Sequence, residues 1–151
     1  MTVPTDASNL HAAAVTGEVQ RLAPNVVRIV APNPSALTGP GTNTYLIGSG
    51  PSYVVVDPGP DDTVHVERVL AVAGGRISHV LCTHSHPDHS PGAAALKAAS
   101  GARVLGRPAP DDGYQDETYR PDASMEDGDV IEAGGASVRV LHTPGHASNH
   151  V

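Results

Sequence analysis

Four residues with metal-ligating side chains lie within six positions of the sequence. They are His84, His86, Asp88 and His89. Neutral imidazole and carboxylate groups are ligands that suit zinc, iron or manganese. A metal held by them could lower the pKa of a bound water and support hydrolysis. The alternative is a solvated polar loop, but a chance cluster of this density seldom falls at the end of a strand.

The apolar run at residues 77–82 predicts a strand that ends just before this cluster. Residues i and i+2 at a strand end share a face, so His84 and His86 can point at one ion. The chain then turns toward a helix, which lets Asp88 and His89 face a second ion. The pattern therefore predicts a two-cation site where a strand gives way to a helix.

A second segment offers one further imidazole. His146 follows a Pro-Gly turn at the end of another apolar strand. A histidine in such a loop is more often exposed than ligating when it stands alone. Beside the first cluster, however, it would supply the third histidine that a catalytic zinc site requires.

Short apolar runs separated by Gly and Pro predict the remaining elements. Strands are expected at 26–30, 44–47, 53–56 and 102–105, with a hairpin formed by 129–132 and 136–141. The continuously apolar run 53–56 predicts a central strand. One helix is expected from Asp61 or Asp62 to about residue 73, and another from 92 to 100 with Ser90 as its N-cap and Pro91 as its first residue.

Two segments are not expected to join this core. Residues 1–17 predict a loose lead-in, so the folded domain is expected to cover residues 18–151. Residues 107–127 are acidic and rich in turn formers, which predicts a surface excursion.

Composition restricts the partners. The formal net charge is −7 with His neutral, and the 9 Lys and Arg are scattered. An acidic surface without a basic stripe disfavours polyanions as partners.

The single cysteine, Cys82, excludes an internal disulfide and lies in an apolar run, which predicts a buried thiol. The first 22 residues lack a basic start and a long apolar run, so we expect a cytoplasmic protein without a membrane partner.

The run Thr-His-Ser-His-Pro-Asp-His at 83–89 resembles the H-x-H-x-D-H signature of the metallo-beta-lactamase superfamily, and Thr-Pro-Gly-His at 143–146 resembles its T-P-G-H element. The resemblance implies an α+β fold, the αββα sandwich. It also implies two Zn²⁺ ions per complete site, with iron or manganese as alternatives. The implied ligands are His84, His86 and His146 for the first ion, and Asp88 and His89 for the second.

Other residues match the family less specifically. Asp57 ends an apolar strand where the family has an aspartate that supports the ligands by hydrogen bonds; a simple turn before Pro58 is the alternative. The loop 32–45 resembles the beta-lactamase-like protein 2 group, near the glyoxalase II enzymes. This implies that Asn43 and Thr44 line or brace the pocket, although hydrogen bonding within the turn is an equal alternative.

The other histidines are expected to have ordinary roles. His150 is expected to form a hydrogen bond near the start of a strand rather than ligate metal. The rest are interpreted as surface or structural histidines, namely His11, His65, His79 and His142.

The resemblance covers only the first half of the family's domain. The second half supplies an aspartate that bridges both metals and a last histidine, and the sequence offers no match for either. Three interpretations remain open: a fragment of a longer product, a half-domain completed by another chain, or a sequence cut short. We favour a truncated chain over a homo-oligomeric site, because an identical copy would supply only the same residues.

The resemblance implies hydrolysis of an ester, thioester or related bond in a small-molecule substrate by a metal-bound hydroxide. Asp88 would both bind metal and orient the nucleophile. The first alternative is an endoribonuclease acting on single-stranded RNA, which the loop resemblance suggests and the acidic charge opposes. The second is an inactive or zinc-binding fragment that lacks half of its site.

Overall fold

The computed structural model describes residues 13–48 and 51–151. Residues 1–12, which include His11 and most of the predicted lead-in, lie outside the described residues. In order, the described elements are β1 Val19–Ala23, β2 Val26–Val30, β3 Asn43–Ile47, β4 Tyr53–Val56, α1 Thr63–Ala73, β5 Ile77–Leu81, α2 Gly92–Ser100, β6 Arg103–Leu105, β7 Val130–Ala133 and β8 Ala136–Arg139. Neither helix combines the length and apolar character needed to cross a membrane.

Six strands form one mixed sheet in the order β1-β2-β3-β4-β5-β6, and β7 pairs with β8 in a separate hairpin. Strands β1 to β4 run antiparallel to their neighbours, whereas β4, β5 and β6 are parallel. Strand β4 therefore lies inside the sheet, as its apolar run predicts. Because β4 and β5 are parallel neighbours, the loops that follow them leave the same edge of the sheet.

The core has two halves, one on each face of this sheet. Val55 belongs to the cluster that packs against α1 and α2, which also contains Val69 and Leu96. Its neighbour Val54 belongs to the opposite cluster, where the β7–β8 hairpin covers the sheet. Successive side chains in a strand alternate between faces, so one apolar strand serves both clusters. Helices, a large sheet and a hairpin are thus stacked in layers, and the predicted α+β class is confirmed.

Helix α1 begins and ends where the sequence predicts. Asp62 is the N-cap, and its Oδ1 accepts a hydrogen bond of 2.8 Å from the backbone N of His65. Gly74 ends the helix at φ 60°, in the left-handed conformation that glycine adopts without a steric penalty. The predicted strands match β2 to β6 within one residue at either end, and the predicted hairpin matches β7 and β8.

The predicted start of helix α2 was wrong, and strand β1 was missed. The N-cap of α2 is Pro91, with no side-chain cap. The hydroxyl of Ser90 is used elsewhere, because it donates to Asp116 Oδ2 at 2.8 Å inside the protein. Strand β1 was not predicted, because its sequence Val-Gln-Arg-Leu-Ala buries only Leu22 and has a register shift, so no regular alternation marks it.

The prediction of a surface excursion at 107–127 was also wrong in part. Tyr119 is 5% exposed and packs in the helix-side cluster, and Met125 is 3% exposed in the hairpin-side cluster. Asp116 is buried as well, where its carboxylate accepts from Ser90 and Thr118. Isolated apolar residues in a polar segment have no period, so tertiary contacts rather than local pattern decide their burial.

His65 is a structural histidine inside the fold. Its side chain is fully buried, and its Nε2 lies 2.8 Å from Thr44 Oγ1. The Thr44 hydroxyl donates to the backbone oxygen of Asp57 at 2.6 Å, so Oγ1 accepts from His65 and Nε2 carries the proton. Thr44 therefore braces the end of β4.

Burial lowers the pKa of His65 from 6.5 to about 4. As the pH falls, the unfolded chain therefore protonates His65 at a higher pH than the folded protein does. The contribution of His65 to the free energy of unfolding is complete above about pH 6.5 and is lost as the pH falls toward 4. Because of His65, we expect the free energy of unfolding to be about 2 kcal/mol lower at pH 5 than at pH 7.5.

Urea unfolding of the wild type and of His65→Gln at pH 7.5 and 5, with a chelator present, measures this loss. We expect the variant to lose about 2 kcal/mol less than the wild type between the two pH values. Other histidines titrate in both proteins and cancel in the difference. His79→Gln serves as a comparison, because burial also lowers the pKa of the partly exposed His79, so its removal should change the loss less than His65→Gln does. Equal losses in wild type and His65→Gln would contradict the assignment.

Candidate metal centre

Asp57 joins the ends of β4 and β5. Its backbone N donates to Leu81 O at 2.8 Å, so the loops start side by side. Its Oδ1 accepts from the backbone N of Thr83 at 2.7 Å, and its Oδ2 accepts from the Thr83 hydroxyl at 2.8 Å. Asp57 adopts φ 52°, a left-handed conformation uncommon outside glycine. Its carboxylate thus fixes the start of the 83–89 loop, and its role extends beyond forming a turn.

The same hydrogen bonds decide which nitrogen of His84 is free. The Thr83 proton goes to Asp57, so Thr83 Oγ1 accepts from His84 Nδ1, 2.9 Å away. The lone pair of His84 then lies on Nε2. That atom is buried and has no hydrogen-bond partner. A buried acceptor without a donor is costly unless something else binds it, and a metal ion would satisfy it.

Two further imidazoles converge on His84. One ring nitrogen from each of His84, His86 and His146 lies within 4.8 Å of the other two. His86 Nδ1 and His146 Nε2 are 3.1 Å apart. Two nitrogens bound at about 2.0–2.1 Å to a tetrahedral zinc stand roughly 3.3 Å apart, so this spacing fits one zinc ion.

The protonation state of the His84 and His86 rings also favours metal binding. Burial, reinforced by the neighbouring His89 imidazole, lowers the pKa of His84 from 6.5 to about 3. Burial and the adjacent His146 lower the pKa of His86. Both rings are therefore neutral at pH 7, which is the form that ligates metal.

Asp88 and His89 lie beside the three-histidine cluster. The His89 ring centroid is 4.1 Å from that of His84. His89 Nδ1 contacts Asp57 Oδ2 at 2.9 Å, and its Nε2 contacts Asp88 Oδ2 at 3.2 Å. Burial acts to lower the pKa of His89, but the hydrogen bond to Asp57 and the charges of Asp57 and Asp88 raise it overall. A cation at Nε2 would replace the proton held there.

Asn149 holds the His146 segment in place, a role the sequence did not reveal. It is 5% exposed, and its Nδ2 donates to Ser85 Oγ at 2.9 Å. Val151 N donates to Thr83 O at 2.9 Å. These contacts connect segments more than 60 residues apart, and an isolated asparagine in a loop carries no signal of such a partner.

Ser85 also holds one wall of the site. Its hydroxyl donates to Gln115 Oε1 at 2.5 Å, and its backbone oxygen accepts from Asp116 N at 2.7 Å. Gln115 Nε2 in turn donates to Asp112 at 2.9 Å. This network brings Asp112 and Tyr114, both in the supposed surface excursion, to the edge of the cluster.

A cleft of about 740 Å³ opens above the candidate metal ligands. Its volume is in the range of small-molecule sites. Leu37 and Tyr114 project from its walls, with 98% and 76% of their surface exposed. Its lining residues are Asn33, Ser35, Leu37, Thr38, Pro60, His86, Pro87, Asp88, His89, Asp112, Tyr114 and His146, with no Lys or Arg among them. A second concavity of about 400 Å³ beside α2 contains none of the predicted ligands.

The remaining candidates lie around this centre. His150 Nδ1 is 2.9 Å from Thr143 Oγ1, and its ring centroid is 4.9 Å from that of His84. It therefore forms a hydrogen bond, as predicted, but within a loop rather than near the start of a strand, and it stands outside the group of three. Asn43 lines a smaller concavity together with Asp57, Asp88 and His89. Cys82 is buried in the helix-side cluster, as predicted.

The sequence resembles known proteins over most of its length. The family described as "Metallo-beta-lactamase superfamily" matches residues 37–151. An atrochrysone carboxyl ACP thioesterase of Aspergillus chevalieri is 38% identical over 139 residues, which cover 89% of this chain and 42% of that protein. The thioesterase pkgB of Emericella nidulans is 38% identical over 129 residues, covering 83% and 36%. The chain thus spans about two fifths of the length of these relatives.

The fold is also similar to a solved structure. A metallo-beta-lactamase of Cronobacter sakazakii superposes with a TM-score of 0.73 at 22% identity, covering 88% of this chain and 57% of that one. At this level of identity the likeness concerns the fold alone.

Proposed function

Because the chain belongs to the metallo-beta-lactamase superfamily, we propose that it carries the metal centre of a hydrolase acting on ester or thioester bonds of small acyl substrates. One observation carries the proposal. Three imidazole nitrogens from two distant segments converge, and one of them, His84 Nε2, is buried without a hydrogen-bond donor. This arrangement supports a metal-dependent reaction more directly than any other feature of the described residues.

We assign His84, His86 and His146 to a first zinc ion, and Asp88 and His89 to a second. Iron or manganese would accept the same imidazole and carboxylate donors. When bound, such ions lower the pKa of a coordinated water and polarise the carbonyl under attack.

The other residues fix the geometry of these donors. Asp57 accepts from Thr83 and from His89, which sets the tautomer and orientation of His84, through Thr83, and of His89. Asp88 accepts a hydrogen bond from Thr42 through Oδ2. We assign its carboxylate a second role, that of orienting the attacking water.

The cleft favours an uncharged, partly apolar substrate. Leu37 and Tyr114 offer apolar surface on its walls, and Asp112 and Asp88 are acidic. A polyanion such as RNA needs cationic contacts to its phosphates, and the residues that line the cleft supply none. The thioesterase names of two relatives point the same way.

Activity of the full-length protein toward an acyl thioester and toward single-stranded RNA tests the proposal. We expect hydrolysis of the thioester that a chelator abolishes and added zinc restores. RNA should remain intact, and its weak binding should vary little with salt, since few phosphates are contacted. Cleavage of RNA with steeply salt-dependent binding would favour a ribonuclease. Zinc binding without hydrolysis of either substrate would indicate a site that has lost its activity.

A further inference from the structure

Thr42 lies beside Asp88, in the loop between β2 and β3. It is 5% exposed, and its hydroxyl is 3.2 Å from Asp88 Oδ2. Asn33 holds this threonine at two points. Its Nδ2 donates to Thr42 Oγ1 at 3.0 Å, and its Oδ1 accepts from Thr42 N at 2.9 Å.

These bonds have a fixed direction. A hydroxyl carries one proton and can also accept hydrogen bonds. Since Thr42 Oγ1 accepts from the Asn33 amide and the Asp88 carboxylate can only accept, the hydroxyl proton of Thr42 is directed to Asp88. The hydrogen bonds from Asn33 to Thr42 and from Thr42 to Asp88 therefore orient one donor toward a single carboxylate oxygen.

The backbone around Thr42 leaves this donor little freedom. Ala31 N donates to Thr42 O at 2.8 Å. A Cβ on Gly41 would lie 2.0 Å from Ala31 O, so only glycine allows these two backbone segments to approach so closely. Thr38 also donates to Asn33 O at 2.5 Å, which anchors the amide residue.

We propose that Thr42 and Asn33 are positioning residues that fix the Asp88 carboxylate for the second metal ion. This inference rests on the proposed function. Asp88 Oδ2 contacts both Thr42 Oγ1 and His89 Nε2, each at 3.2 Å. Asp88 and His89 would hold the second cation in place of the contact between them, and the hydrogen bond from Thr42 would still orient the Asp88 carboxylate. Carboxylates that ligate metals are commonly held by such hydrogen bonds.

The test measures the affinity of each metal equivalent in the full-length protein, with zinc in competition with a chromophoric chelator. Thr42→Val removes the hydroxyl and keeps the shape of the side chain, whereas Thr42→Ser keeps the donor. We expect Thr42→Val to weaken the second zinc by about 10- to 100-fold and to leave the first unchanged. Thr42→Ser should restore wild-type affinity, and Asn33→Ala should weaken the second zinc in the same direction.

Ser124→Ala is the control, because it removes another hydroxyl-to-carboxylate hydrogen bond, of 2.8 Å to Glu126, in a segment that does not line the cleft. Unchanged second-zinc affinity in Thr42→Val and Asn33→Ala would overturn the inference. An equal loss of affinity for both zinc ions, or a wild-type protein that binds a single zinc ion, would also overturn it. The proposed function fails by a different result, namely a first zinc whose binding does not depend on His84.

Discussion

Replacing His84 with alanine is expected to abolish tight binding of the first zinc and hydrolysis together. The variant removes the buried Nε2 that faces His86 and His146, so only two of the three imidazoles remain. Loss of a hydrogen bond to a ligand typically costs about 10- to 100-fold in affinity or activity, and loss of the ligand itself should cost more. Zinc titration and thioester hydrolysis, measured on the same preparation, check both effects.

His146→Ala should reproduce this loss, although His146 is about 60 residues away in sequence. His79→Ala is the control, because His79 lies in β5 outside the cluster and contacts Ser78. Full zinc affinity in His84→Ala, or an equal decline in the His79 variant, would count against the three-histidine site.

Asp57→Asn is expected to produce the second large effect, at the second metal through His89 and at the first metal through Thr83 and His84. Asparagine has the same shape and tolerates the positive φ of 52°, so the backbone can be retained. An amide oxygen that still accepts from Thr83 N leaves the amide nitrogen facing His89 Nδ1. His89 must then present Nδ1 as an acceptor and carry its proton on Nε2, where the cation should bind. We expect second-zinc affinity to fall by about 10- to 100-fold, with a parallel fall in kcat.

Nitrogen chemical shifts of the His89 ring measure this exchange of tautomer directly. The metal-free wild type, in which the pKa of His89 is raised, should show protons on both nitrogens at mildly acidic pH. Asp57→Asn should show a neutral ring protonated at Nε2. A variant that keeps the wild-type ring state and second-zinc affinity would show that Asp57 acts only as a turn former. A loss confined to folding stability would lead to the same conclusion.

The position of the first set of candidate donors could be predicted from the sequence because their placement is local. His84 and His86 follow directly from β5, and the strand-to-helix turn sets the position of Asp88 and His89 over a few residues. Asp57 could be expected beside them because it ends β4, the parallel neighbour of β5. These relations follow from strand geometry and need no knowledge of distant contacts.

The residues that hold the donors could not be predicted in the same way. Thr42 reaches Asp88 across 46 positions, and Asn149 reaches Ser85 across 64. Such pairs depend on how separate loops pack at one edge of the sheet, which no local period encodes. Tyr114 is a further example, because the network through Ser85 and Gln115 brings its loop to the cleft.

Part of the acidic charge of the chain is concentrated around the candidate metal site. Asp57, Asp88 and Asp112 lie beside or line the proposed metal site. Carboxylates near a cation site attract divalent ions and repel polyanions. The charge of the chain therefore agrees with the proposed metal binding and the proposed uncharged acyl substrate.

Zinc-edge anomalous diffraction from crystals of the zinc-loaded protein would locate the first zinc ion relative to the three histidines. We expect a zinc peak about 2.0–2.1 Å from one ring nitrogen of each of His84, His86 and His146. This expectation would be contradicted by a fully occupied zinc bound elsewhere, with the imidazole of His146 turned away from those of His84 and His86.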